Sequence, residues 1–100
     1  MKLPKSVMIL GHRYKVELVE LEEDGFGYSE GNARIIRINP KHPANTYMAT
    51  LLHEIIHQIF HVTGISNMLD STKEDKFEEA IVVALEHGLS PYFTIPKGRK

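Results

Sequence analysis

The chain of 100 residues has no cysteine. Disulfides are excluded, and so is every zinc site built on thiolates, leaving histidine and carboxylate as the only zinc donors. An excess of charge is also missing: the formal net charge is -1. The one basic concentration is the terminal PKGRK (Pro96 to Lys100), which reads as a solvated end. Nucleic acid is therefore not an expected partner. No stretch approaches the roughly 18 apolar residues of a membrane span. The opening MKLPKSVMIL is broken by Pro4 and Lys5 and lacks the apolar region and cleavage site of an export signal. These absences lead to the expectation of a cytoplasmic protein with no membrane contact. There is no internal repeat or low-complexity segment.

What is present is ordinary for a globular protein, 42% hydrophobic and 25% charged. The length suits one domain over residues 1–100 with a modest core. Val7 to Leu10 is a short apolar run. Tyr14, Val16 and Leu18 then alternate with Arg13, Lys15 and Glu17, the period of a half-buried strand. Gly11-His12 between them suits a two-residue hairpin turn. Glu22 to Gly27 is a turn region. Ala33 to Ile38 offers another strand, ended by Asn39-Pro40. The expectation is α+β, with three to four antiparallel strands packed on two helices.

The first helix starts at Asn45 or Thr46, whose short polar side chains can cap it. It runs to about Thr63, where Gly64 can adopt a left-handed stop. A connection follows. Ser71 or Thr72 could cap a second helix reaching Glu86 or His87, with Gly88 as terminator. Tyr92, Phe93 and Ile95 are available to close the chain onto the core.

The first helix reads TLLHEIIHQIFH from Thr50 to His61. Residues three and four apart share a face. Leu52, Ile55, Ile56, Ile59, Phe60 and Thr63 form an almost wholly apolar stripe, and Thr50, His53, Glu54, His57 and His61 a polar one. His53 and His57 are one turn apart and can converge on one ion. Glu54 is close enough to act on a water held by the ion without being a ligand. Zinc lowers the pKa of such a water toward about 7, and a neighbouring carboxylate can take its proton and hand it to a leaving amine. The bland alternative is a solvated helix face that happens to carry histidines.

Catalytic zinc takes three protein ligands. His61 lies two turns beyond His53, about 12 Å along the axis, too far for three side chains of one straight helix to meet readily. It reads as a rim or surface residue. The second helix offers Asp75, Glu78, Glu79, Glu86 and His87. At 100° per residue, Glu78 falls among Ile81, Val82, Leu85 and Leu89. A carboxylate on an apolar face needs a partner, and a Zn2+ ion on the facing helix would be one. Glu78 is thus the expected third ligand. Glu79, nearly 100° round beside Glu86, is the alternative that a modest rotation would select.

With these residues in view the chain resembles a minimal zincin, similar to the small ImmA/IrrE-type and phage-encoded metallopeptidases. TLLHEIIH (Thr50 to His57) carries the motif, and EEAIVVALEHGLSP (Glu78 to Pro91) resembles the later helix that supplies a glutamate ligand in gluzincins. Aligning Pro91 with that family's terminal proline puts its leading glutamate on Glu78. Val82 departs from the acidic or amide residue found there. The resemblance implies a zinc-dependent peptide-bond hydrolase with Glu54 as general base and His53, His57 and Glu78 on the metal. It also implies a peptide or protein substrate, held by β-addition along Ala33 to Ile38. An oxyanion stabiliser is expected from among Tyr28, Tyr47, Tyr92 and His87. The competing expectation is a zinc-binding regulatory or interaction module of phage type without efficient catalysis. The sequence does not fix the oligomeric state.

Overall fold

The computed structural model describes residues 3–22, 24–70 and 75–94. Four strands come first, β1 (Ser6–Ile9), β2 (His12–Leu18), β3 (Gly27–Glu30) and β4 (Ile35–Ile38). A 3₁₀ turn leads into α1 (Tyr47–Thr63), followed by a short α2 (Ile65–Asp70) and then α3 (Asp75–Leu89). The architecture is α+β. Among the described residues no helix is long and apolar enough to cross a membrane.

The β1–β2 hairpin turns on Leu10-Gly11, one residue earlier than Gly11-His12, since Ile9 pairs with His12. Both turn residues have positive φ, 49° and 85°, the form whose twist matches the flanking strands. The packed face sets this register: Val7, Ile9 and Tyr14 all point into the core, and a slip by one would turn them out.

The sheet order is β1-β2-β4-β3. It is mixed, not wholly antiparallel, because β4 pairs parallel to β2 and antiparallel to β3. The cause is the connection of residues 19–26, which skips one strand position. β3 goes to the outer edge, and the turn Gly31–Arg34 brings β4 back into the gap. Ala33 and Arg34 therefore belong to a turn, and β4 is an interior strand with both edges taken. It cannot accept a peptide by β-addition, as the sequence reading expected. The edge facing α1 belongs to β3.

Asn39 closes β4. It is fully buried, donates from Nδ2 to the Gly25 carbonyl at 2.8 Å and accepts from Lys41 N–H at 3.1 Å. Its own N–H donates to the Phe26 carbonyl. One buried amide thus ties the loop before β3 to the end of β4, and Phe26 stacks on His42 at 3.8 Å.

α1 lies across the sheet. Leu51 is fully buried against Val7, Ile9, Tyr14, Ile36 and Ile38, with Tyr47, Met48, Ile55 and Ile59 around them. On the other side Leu52 and Ile56 meet Val82 of α3, flanked by Phe60 and Phe93. The start of α1 carries no side-chain cap: Thr46 Oγ1 donates back to the Pro43 carbonyl instead, since the preceding 3₁₀ turn already holds Thr46 in helical dihedrals. The end is as expected, with Gly64 at φ 84°.

Residues 65–70, expected as a connection, form helix α2, and α3 runs through Gly88 to Leu89. The cap at Ser71 or Thr72, the packing of Ile95 and the basic tail lie outside the described residues. Tyr92 is exposed, whereas Phe93 packs on the α1–α3 cluster.

Candidate metal centre

Two glycines bring β3 against α1. A Cβ at Gly27 would lie 2.6 Å from Thr50 Cγ2 and 3.1 Å from the Arg37 carbonyl. One at Gly31 would lie 2.8 Å from the His61 ring and 3.0 Å from Gln58 Oε1. With no side chain at either place, strand and helix approach closely and form one wall each of a cavity of about 990 Å³. α3 adds the carboxylates of Glu78, Glu79 and Glu86 to its lining. The volume suits a ligand of several residues' side chains.

His53, Glu54 and His57 all line this cavity. The imidazoles of His53 and His57 have ring centroids 4.9 Å apart. Their Nε2 atoms meet the same carboxylate: Glu79 Oε2 is 3.1 Å from His53 and Oε1 is 2.9 Å from His57. Ligand atoms of His53, His57 and Glu79 lie within 4.8 Å of one another and could hold a metal ion. The opposite nitrogens are held by two further carboxylates. His53 Nδ1 is 2.9 Å from Glu86 Oε1, and His57 Nδ1 is 2.6 Å from Glu78 Oε2.

Glu78, the residue expected as third ligand, thus contacts the nitrogen of His57 that faces away from the convergence point. Its other oxygen accepts from Ser66 Oγ at 2.6 Å. The difference from the expectation is rotational. Val82 is fully buried, while Leu85 and Leu89 are exposed, so α3 presents a line through Val82 and not the broader face through Leu85 and Leu89. At 100° per residue, Val82 then lies between Glu78 on one side and Glu79 with Glu86 on the other. All three carboxylates face α1, at different nitrogens.

Protonation of the pair follows from its surroundings. Burial pulls the His57 imidazolium down, but the carboxylates of Glu78 and Glu79 outweigh it and leave its pKa above the ordinary 6.5. Burial pushes Glu78 up, and the Ser66 hydroxyl and the His57 ring more than offset it, leaving it below the ordinary carboxylate value.

Glu54 is buried and accepts from Ser29 Oγ at 2.7 Å. Ser29 accepts in turn from Gln58 Nε2 at 2.9 Å, and Gln58 Oε1 accepts from Tyr14 OH at 3.3 Å. Neither Ser29 nor Gln58 stands out by composition. Gln58 could have been found as the residue one turn after Glu54, between Glu54 and His61 on one face. Ser29 had no signal. His61 is exposed and lines the cavity rim beside Gly31. Of the four residues weighed for an oxyanion role, Tyr28 lines the cavity, Tyr47 packs on the sheet core, and His87 and Tyr92 are exposed on the C-terminal part.

The small sheet, the helix with two histidines and a buried glutamate, and the facing helix with carboxylates define a zincin-like domain. The IrrE N-terminal-like domain family, peptidase M78, matches residues 9–98, and the chain belongs to it. No curated protein and no solved structure matches the chain. The family is one of metallopeptidase type, and the His-His-Glu cluster is the donor set that chemistry asks for.

Proposed function

We propose that the protein is a zinc-dependent peptidase whose metal is held by His53 Nε2, His57 Nε2 and Glu79, with Glu54 as general base. The observation that carries this is the convergence of both Nε2 atoms on one carboxylate while each Nδ1 is held by another. A histidine fixed through its far nitrogen by a carboxylate is a stiffer and more basic ligand. Two nitrogens and an oxygen, without sulfur, suit Zn2+.

Glu78 and Glu86 act as orienting carboxylates in this reading, and Glu79 takes the third position. A bound Zn2+ supplies Lewis acidity, lowering the pKa of water at the site and polarising a carbonyl. Glu54 takes the water's proton on its carboxylate and passes it to the departing amine. The carboxylate is sheltered and already held on one oxygen, which leaves little reorganisation for the reaction itself. The substrate is a peptide in extended form, aligned along β3, the edge strand on the cavity wall. Tyr28 on the same strand is the cavity-lining candidate for the developing oxyanion.

The test is cleavage of a mixed peptide library by zinc-loaded protein, read as new termini by mass spectrometry, beside metal content. Cleavage is expected in wild type, lost with chelator, and lost in Glu54→Gln with one zinc per chain retained. A Glu54→Gln variant as fast as wild type would refute the mechanism. Zinc-loaded wild type that cleaves nothing would instead mark a metal-binding module without catalysis.

A further inference from the structure

We propose that Ser29 and Gln58 are positioning residues, which fix the Glu54 carboxylate for its proton transfers through a hydrogen-bond chain anchored on Tyr14. The inference rests on the peptidase reading of the site and adds to it two residues outside the motif.

The chain has one direction. A carboxylate only accepts, so the Ser29 hydroxyl proton points at Glu54 Oε1, 2.7 Å away. The Ser29 oxygen then has lone pairs to offer, and Gln58 Nε2 fills one at 2.9 Å. That turns the Gln58 carbonyl oxygen toward Tyr14, whose hydroxyl donates at 3.3 Å. Reversing the amide would oppose Gln58 oxygen to the serine oxygen. The serine proton would be drawn to the amide, and Glu54 would lose its donor. A buried carboxylate without a donor is strongly disfavoured. The carboxylate thus selects the amide orientation, and the amide orientation selects the serine rotor.

The anchor is firm. Tyr14 belongs to the sheet core and is 2% exposed, Gln58 is 6% and Glu54 8%. Hydrogen bonds sheltered to this degree reinforce one another more than they would in water. Gly31 makes room for the arrangement, since a side chain there would crowd Gln58 Oε1. Three elements are joined: Tyr14 from β2, Ser29 from β3, Gln58 and Glu54 from adjacent turns of α1. Ser29 stands on the strand proposed to hold the substrate. The general base is therefore located relative to that strand by a single bond, and not only by the helix that carries it.

The experiment compares wild type, Ser29→Ala, Ser29→Thr and Gln58→Ala, all zinc-loaded. On a cleaved peptide, Ser29→Ala is expected to lower kcat about 10- to 100-fold, the usual cost of removing a group that orients an active side chain. KM should stay within about twofold, since the β3 backbone proposed to align the peptide is kept. Zinc content should stay at the wild-type level. Ser29→Thr keeps the hydroxyl and should recover most of kcat, while Gln58→Ala should lose less than Ser29→Ala in the same direction. Crystal structures of wild type and Ser29→Ala supply a readout independent of turnover: the Glu54 carboxylate should leave its wild-type rotamer. Unchanged kcat in Ser29→Ala, an equal loss in Ser29→Thr, or an unmoved Glu54 rotamer would each overturn the proposal. If zinc-loaded wild type cleaves nothing, the peptidase reading fails. The Glu54 rotamer then decides the positioning role alone, moved in its favour and unmoved against it. Should Ser29→Ala fold poorly, Gln58→Ala answers the same questions.

Discussion

The two sides of α1 are held by different means. Toward the sheet, Leu51 joins five buried residues of β1, β2 and β4 in a dry cluster. Toward α3, three buried apolar residues, Leu52, Ile56 and Val82, sit beside four imidazole–carboxylate contacts. The first interface derives its strength from area removed from water, which ions leave unchanged. The second depends on groups whose charge varies with pH and whose donors a metal would claim. The side that carries the candidate metal site is the side whose stability can be altered by conditions.

This contrast is broken most severely from the sheet side. Leu51→Ala is expected to cost about 2–5 kcal/mol in chemical denaturation, because it empties a fully buried site. Added zinc should raise wild type and Leu51→Ala by the same amount and leave the difference between them in place. Next comes the α3 side. Zinc at about 100 times its dissociation constant should raise unfolding free energy by about 2.7 kcal/mol. Glu79→Gln should remove most of that gain and Glu78→Gln only part of it, as titration calorimetry of both variants would show. Equal affinity for zinc in Glu79→Gln and wild type would return the third position to Glu78.

The smallest expected effect is that of pH on the metal-free protein. His57 is raised above 6.5, so its contribution is complete below 6.5 and is lost as pH rises through its folded value. Glu78 is lowered from 4.5, so its contribution is complete above 4.5 and is lost as pH falls through its folded value. The pair therefore stabilises the metal-free chain most between 4.5 and 6.5. His57→Gln should flatten that maximum in thermal unfolding followed across pH, while Leu51→Ala should lower the curve without changing its shape.

Local features of the sequence carried over well into the structure. The spacing of His53, Glu54 and His57 places them on one helix face, Gly64 marks the helix end, and the α+β class follows from alternation early and helical periodicity late. Relations between distant segments did not carry over. β4 pairs parallel to β2 because a loop skips a position, and no residue in β4 signals that. β3 is short and has a glycine at its start, so it shows no alternation. The orientation of α3 was misleading for a physical reason: Leu85 and Leu89 belong to its apolar set yet remain exposed. A face inferred from all apolar residues is therefore rotated from the face that packs, and one residue's arc is what separates Glu78 from Glu79.

Gly27 and Gly31 have a consequence for the breadth of the cleft. Neither is required by a left-handed backbone, and each stands where a methyl group would strike α1 or its side chains. At Gly31 the obstacle is in part Oε1 of buried Gln58, which the Tyr14 hydroxyl holds, and in part the end of the exposed His61 ring, which can swing aside. At Gly27 it is the branched side chain of buried Thr50 together with a backbone carbonyl, and neither can. The aperture between strand and helix is thus set by a missing carbon at each of two positions four residues apart, the stiffer of them Gly27. An alanine at Gly27 would act as a spacer that parts the two walls, and an alanine at Gly31 would press on the rim and on Gln58 behind it.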